Sequence, residues 1–163
     1  MNLIPKFISE KFRNNEFQGD FQGFTMFIDI SGFTNLTEKL MTQKKDGAEV
    51  LTDILNKIFE PVIEKIIEND GIISTFAGDA FTTIFQEEDR NIIETALFIQ
   101  NFFVENKQIK TIFGEFDLGV KIGLSYGNIK WGIIGEHRHY TYYFSGDAID
   151  GCANAEHNAE KGE

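Results

Sequence analysis

Apolar and polar positions along the chain follow two periods, and their alternation predicts a mixed fold. Leu3, Ile4, Phe7, Ile8 and Phe12 recur at helical spacing and predict a short amphipathic helix, with a polar connector over Asn14 to Asp20. A first strand is expected over roughly Gly23 to Ile30, within which Thr25 to Ile28 is apolar and β-favouring, like a strand covered on both faces. Ser31 and Gly32 interrupt it, and Phe33, Leu36 and Leu40 then return at helical spacing. After a polar break over Met41 to Gly47, the strongest periodic signal runs from Leu51 to Ile67 on one helix face. Pro61 inside that run predicts a kink or an end to its first half. Asn69-Asp70-Gly71 is a helix stop, and Ile72 to Phe76 and Ala80 to Phe85 read as a hairpin whose tip carries Asp79. Asp89 to Val104 predicts another helix with Asp89 as its cap. Strands are expected over Phe116 to Ser125, Ile129 to Ile134 and Tyr140 to Phe144, with Tyr126-Gly127-Asn128 as a turn between the first two. Gly146-Asp147 opens a last helix, and Ala155 to Glu163 reads as mid-helix with no stop signal, as in part of a longer protein. This order indicates an α+β sheet with helices packed on one face.

Composition narrows the classes. The 163 residues suffice for one domain with a real core, and 42% apolar content with 17 Phe is globular. A formal net charge of -11 argues against general nucleic-acid binding, because the phosphate term is repulsive, but allows a small polyphosphate held through a cation. One cysteine, Cys152, precludes an intrachain disulfide. The N-terminus lacks a secretory pattern and no segment approaches about 20 uninterrupted apolar residues, so the expectation is a soluble, cytoplasmic protein without a transmembrane segment.

Candidate chemistry centres on Asp29. An Asp between a strand end and a helix start lies beside unpaired N–H groups that attract phosphate, and can hold a divalent cation that the phosphate also binds. Taken singly, Asp29 and Asp79 read as ordinary turn residues. As a pair they read differently. Two strands of one sheet that each end in a carboxylate beside a Gly turn can bring like charges together, which is favourable only with a cation between them. His137, His139 and His157 have no ligand spacing with Cys152, so zinc is not expected. Trp131, Tyr140, Tyr142 and Tyr143 read as sheet or interface packing.

The segments Phe27-Ile28-Asp29-Ile30-Ser31-Gly32-Phe33-Thr34, Phe76-Ala77-Gly78-Asp79-Ala80-Phe81 and Lys121-Ile122-Gly123-Leu124-Ser125-Tyr126-Gly127 resemble, in this order, the class III nucleotidyl cyclase catalytic domain. The resemblance runs from about Phe21 to the end. It implies a domain over residues 21–163 after an N-terminal helix and connector at 1–20. The implied fold is ferredoxin-like α+β, mainly antiparallel, in a domain that dimerises head to tail and builds each site from both partners. By the same resemblance, Asp29 and Asp79 are the catalytic ligands of two Mg²⁺ or Mn²⁺ ions, and the Ile30 carbonyl helps hold one. Ser31, Gly32, Phe33 and Thr34 take the triphosphate, and Arg138 matches an Arg that contacts it.

Departures from the pattern are equally informative. The family's purine-reading Lys stands four positions before the second metal Asp, where this chain has Thr75. Its purine-reading Asp or Thr is replaced by Tyr143, and its transition-state Asn and Arg by Asp150 and Asn154. The chain therefore resembles the first catalytic half of tandem cyclases, closest to the soluble adenylyl cyclases. The implied function is ATP to cyclic AMP and pyrophosphate, once a second cyclase domain, in cis or in trans, supplies Lys, Asn and Arg. As a homodimer it is expected to be nearly inactive, and GTP stays open as a substrate. Two other readings stand beside this one: a regulatory domain that binds nucleotide without chemistry, and a diguanylate cyclase relative suggested by Ala77-Gly78-Asp79-Ala80-Phe81.

Overall fold

The chain, a computed structural model, is described over residues 4–86, 91–137 and 139–163. Leu3, the acidic run Glu87-Glu88-Asp89 with its expected cap, and Arg138 lie outside the described residues. In chain order the elements are α1 (Lys6–Arg13), β1 (Gln18–Ser31), α2 (Phe33–Met41), α3 (Lys44–Glu68), β2 (Ile72–Ala77), β3 (Ala80–Gln86), α4 (Asn91–Glu105), β4 (Gln108–Thr111), β5 (Gly114–Asp117), β6 (Gly119–Glu136), β7 (His139–Ser145) and α5 (Asp147–His157). Five strands form an antiparallel sheet in the order β2-β3-β1-β6-β7, while β4 and β5 form a separate two-stranded ribbon.

Strand alternation divides the residues of β1 between the two faces of the sheet. Met26, Ile28 and Ile30 enter the main core with Leu36 and Leu40 of α2, Ile58 and Ile66 of α3, and Ile99 and Phe103 of α4. Thr25 points to the other face, where its Oγ1 donates to the Ala148 carbonyl of α5 at 2.6 Å. The helices α2, α3 and α4 thus share one face, while α5 lies across the other. Farther along that second face α1 docks on an aromatic cluster, with Ile8 beside Trp131 and Ile133 and the Phe7 ring edge-on to Trp131 at 5.4 Å. Each buried Ile or Leu contributes about 1.5–3 kcal/mol, so the main core fixes β1 and whatever its end carries.

Several boundaries differ from those the pattern predicts. The expected turn at Tyr126-Gly127-Asn128 is the middle of an unbroken strand, paired to Phe24, Gly23 and Gln22 of β1. Gly127 lies under the start of α5, where an added Cβ would meet the Ala148 nitrogen at 3.4 Å, an ordinary contact. The polar break between α2 and α3 shrinks to Thr42 and Gln43, and α3 continues through Pro61. The ribbon of β4 and β5 takes up residues that the pattern left unassigned or placed in one long strand. Ala155 to Glu163 is not mid-helix: α5 ends at His157, where the Asn158 side chain donates to the Asn154 carbonyl at 2.7 Å. The last residues then turn back beside β6, and Gly162 N donates to the Val120 carbonyl at 2.9 Å.

Candidate active site at the end of the central strand

Three short segments meet where β1 ends. Asp29 pairs with Ala80 across β3 and with Lys121 across β6. Because β1 and β3 run antiparallel, Asp79 in the turn before Ala80 comes level with Ile30. The two carboxylates expected to converge are therefore brought to one end of the sheet. Their proximity registers in the electrostatics: the Asp29 pKa is raised, first by burial, then by the Glu156 and Asp79 charges, with Lys121 partly opposing. A carboxylate crowded by like charge is what a divalent cation relieves. Among the described residues no three His, Cys, Asp or Glu side chains form a ready-made cage. Two carboxylates with open positions instead suit a hard ion that keeps water and takes phosphate oxygens.

Beyond Asp29 the chain turns sharply. Gly32 adopts φ +88°, and a Cβ there would collide with the Asp117 carbonyl, so both conformation and space call for glycine. Replacing Gly32 by Ala is expected to destabilise the domain by about 1–3 kcal/mol, read as a lowered urea midpoint at unchanged slope. The turn delivers the start of α2, which no side chain caps, leaving its first N–H groups open to an anion. Phe33 is buried against Phe59, their rings 6.3 Å apart, so its side chain anchors the turn and only its backbone can face a ligand. Thr34 is exposed. The Ser31 hydroxyl oxygen is buried without a hydrogen-bond partner, an orphan beside the carboxylates.

The remaining singled-out residues lie elsewhere. Thr75 is exposed on β2 and lines a groove of 1360 Å³ between α1 and the sheet, away from the carboxylates. Tyr143 lies on edge strand β7 and covers Gly132. Asp150 and Asn154 sit on the exposed side of α5. Arg138 falls outside the described residues. The pattern along the chain did not single out Lys121 and Glu156, which pair at 2.7 Å beside Asp29. Lys121 stands as a single charge in the apolar and glycine-rich run from Gly119 to Leu124, whereas Glu156 sits among other polar residues and carries no such sign.

The fold is that of a nucleotidyl cyclase catalytic domain. Residues 22–163 match the Adenylate and Guanylate cyclase catalytic domain family, and the chain belongs to that family. It is 34% identical over 149 residues to adenylate cyclase type 10 of Rattus norvegicus, covering 86% of this chain. It is 33% identical over 153 residues to the Homo sapiens protein of that name, covering 88%. The chain spans 9% of the length of each of these relatives. Solved structures share the fold. The adenylyl cyclase CyaB from P. aeruginosa superposes with a TM-score of 0.70 at 20% identity, over 89% of this chain and 76% of that one. A bacterial light-regulated adenylyl cyclase gives 0.73 at 22%, over 94% and 46%. The guanylate cyclase domain of RhGC from Catenaria anguillulae in complex with GTP gives 0.68 at 20%, over 88% and 77%.

Proposed function

We propose that this domain is the metal- and triphosphate-holding half of an adenylate cyclase that converts ATP to 3′,5′-cyclic AMP and pyrophosphate. The observation that carries the reading is the convergence of Asp29 and Asp79, with the Asp29 carboxyl held above its ordinary range by burial and like charge. Asp29, Asp79 and the Ile30 carbonyl are the groups that would hold two Mg²⁺ or Mn²⁺ ions. Such ions, when bound, lower the pKa of the ribose 3′-hydroxyl and neutralise charge on the leaving pyrophosphate. The backbone from Ser31 to Thr34 donates to the triphosphate, and the Ser31 hydroxyl gains the partner it lacks. Arg138 is assigned to the same triphosphate.

Thr75, Tyr143, Asp150 and Asn154 bring no cation to the base or to the transition state. A complementary cyclase domain therefore provides the Lys, Asn and Arg. Adenine rather than guanine is favoured by relatives named as adenylate cyclases at 33–34% identity; the shared fold itself includes a guanylate cyclase. A cytoplasmic setting suits the buried free thiol of Cys152, and no described helix is long and apolar enough to cross a membrane. The test is cyclic AMP formation from Mn²⁺-ATP when this domain is mixed with a domain carrying Lys, Asn and Arg. Product should appear on mixing and require both Asp29 and Asp79.

The four substituted positions also favour a second reading, a regulatory domain that binds nucleotide without turning it over. Calorimetry showing Mg²⁺-ATP binding, with no cyclic AMP from any domain pair, selects it.

A further inference from the structure

Beside Asp29, on the face covered by α5, stand two charged residues to which the cyclase reading gives no task. Lys121 is the cross-strand neighbour of Asp29. Glu156 reaches it from the last turns of α5, where Lys121 Nζ donates to Glu156 Oε1 at 2.7 Å and to the Glu156 backbone oxygen at 3.4 Å. The side chains are 25% and 12% exposed, so this is no loose surface pair. A mostly buried ion pair is poor value as a stabiliser, since desolvation offsets much of the attraction. Its position is more telling. Cross-strand neighbours have Cβ atoms about 5 Å apart, and a lysine stem is long and flexible. The Lys121 ammonium can therefore reach either of two carboxylates, that of Asp29 or that of Glu156. Seated on Asp29, it would occupy the oxygens a divalent ion needs. Seated on Glu156, it still offsets part of the repulsion around Asp29 while leaving those oxygens open.

We propose that Glu156 is a positioning residue that holds the Lys121 ammonium off Asp29 and so keeps the Asp29 carboxylate free for a divalent cation. This rests on Asp29 being a metal ligand, as proposed above. Glu156 itself is turned to Lys121 and is not a third ligand.

The test is Mn²⁺ titration of the whole chain by calorimetry, with thermal melts to confirm folding, on wild type, Glu156→Gln, Lys121→Gln and the double variant. Asp29→Asn serves as reference. Glu156→Gln should weaken Mn²⁺ binding about tenfold (about 1.4 kcal/mol), because Lys121 is released onto Asp29. The double variant should return to within about threefold of wild type, and Lys121→Gln alone should bind no more weakly than wild type. A merely structural pair predicts the reverse, with both single variants weakened and no rescue. Should Glu156→Gln fail to fold, Glu156→Asp, one methylene shorter, carries the same comparison. Unchanged affinity in Glu156→Gln, or a double variant as weak as Glu156→Gln, overturns the proposal. A wild type whose Mn²⁺ affinity is indifferent to Asp29→Asn removes instead the metal reading beneath it.

Discussion

Replacing Asp29 by Asn should abolish activity and stabilise the metal-free protein at once. Mixed with a complementary domain and Mn²⁺-ATP, the variant should form cyclic AMP more than about a hundredfold more slowly than wild type. Disturbing the outer partners of a metal ligand already costs about 10–100-fold, and here the ligand itself is lost. The stability effect has the opposite sign. Burial, Glu156 and Asp79 raise the Asp29 pKa in the folded chain, so the folded state binds its proton more readily than the unfolded one. Stability therefore falls as pH rises from the ordinary carboxylate range through the raised folded value. Asn carries no charge and escapes that loss. The variant should melt above wild type at neutral pH, and the two should approach each other as the solution is acidified. Saturating Mn²⁺ reverses the order, adding about 2.7 kcal/mol to wild type at a hundredfold excess over Kd and little to the variant. Full activity in Asp29→Asn contradicts the metal assignment, whereas a melting point below wild type at neutral pH contradicts the electrostatic account alone.

The chain by itself should be nearly silent. On the proposed reading, two copies, however they pair, would bring Thr75, Tyr143, Asp150 and Asn154 to the base-reading and transition-state positions of both sites. None of these side chains is a cation. A transition-state Arg in phosphoryl transfer is worth about 10³–10⁵ in rate. Adding a domain that carries Lys, Asn and Arg should therefore raise cyclic AMP formation at least about a thousandfold over this chain alone at equal concentration. A comparable rate without the second domain would show that the groups thought missing are supplied from within.

What could be read from the sequence was local. The strand to Asp29, the Gly32 turn and α2 follow one another without interruption from Gln18 to Met41, and each leaves its mark in spacing or residue type. The β2–β3 hairpin was legible for the same reason, so the meeting of Asp29 with Asp79 needed only that both strands join one sheet. The misreadings lie where distant segments decide. Gly127 looks like a turn until α5 is laid over it. The ribbon of β4 and β5 has little apolar pattern, with Ile109 and Phe116 as its buried residues. That α5 crosses the second face depends on tertiary packing through Thr25 and Ala148. The Lys121–Glu156 pair joins residues 35 apart, and no periodicity marks it.

Whether one cation is shared by the end of β1 and the β2–β3 turn can be observed residue by residue. Mn²⁺ added in small amounts to the ¹⁵N-labelled chain broadens the amide signals of residues near the ion. Ile30, Ser31, Gly78, Asp79 and Ala80 should fade first and together, and Asp29→Asn or Asp79→Asn should each abolish the effect at both segments. If broadening instead begins at other acidic surfaces, or one segment fades while the other is untouched, the two carboxylates do not hold a common ion and the cyclase mechanism proposed for this domain is wrong.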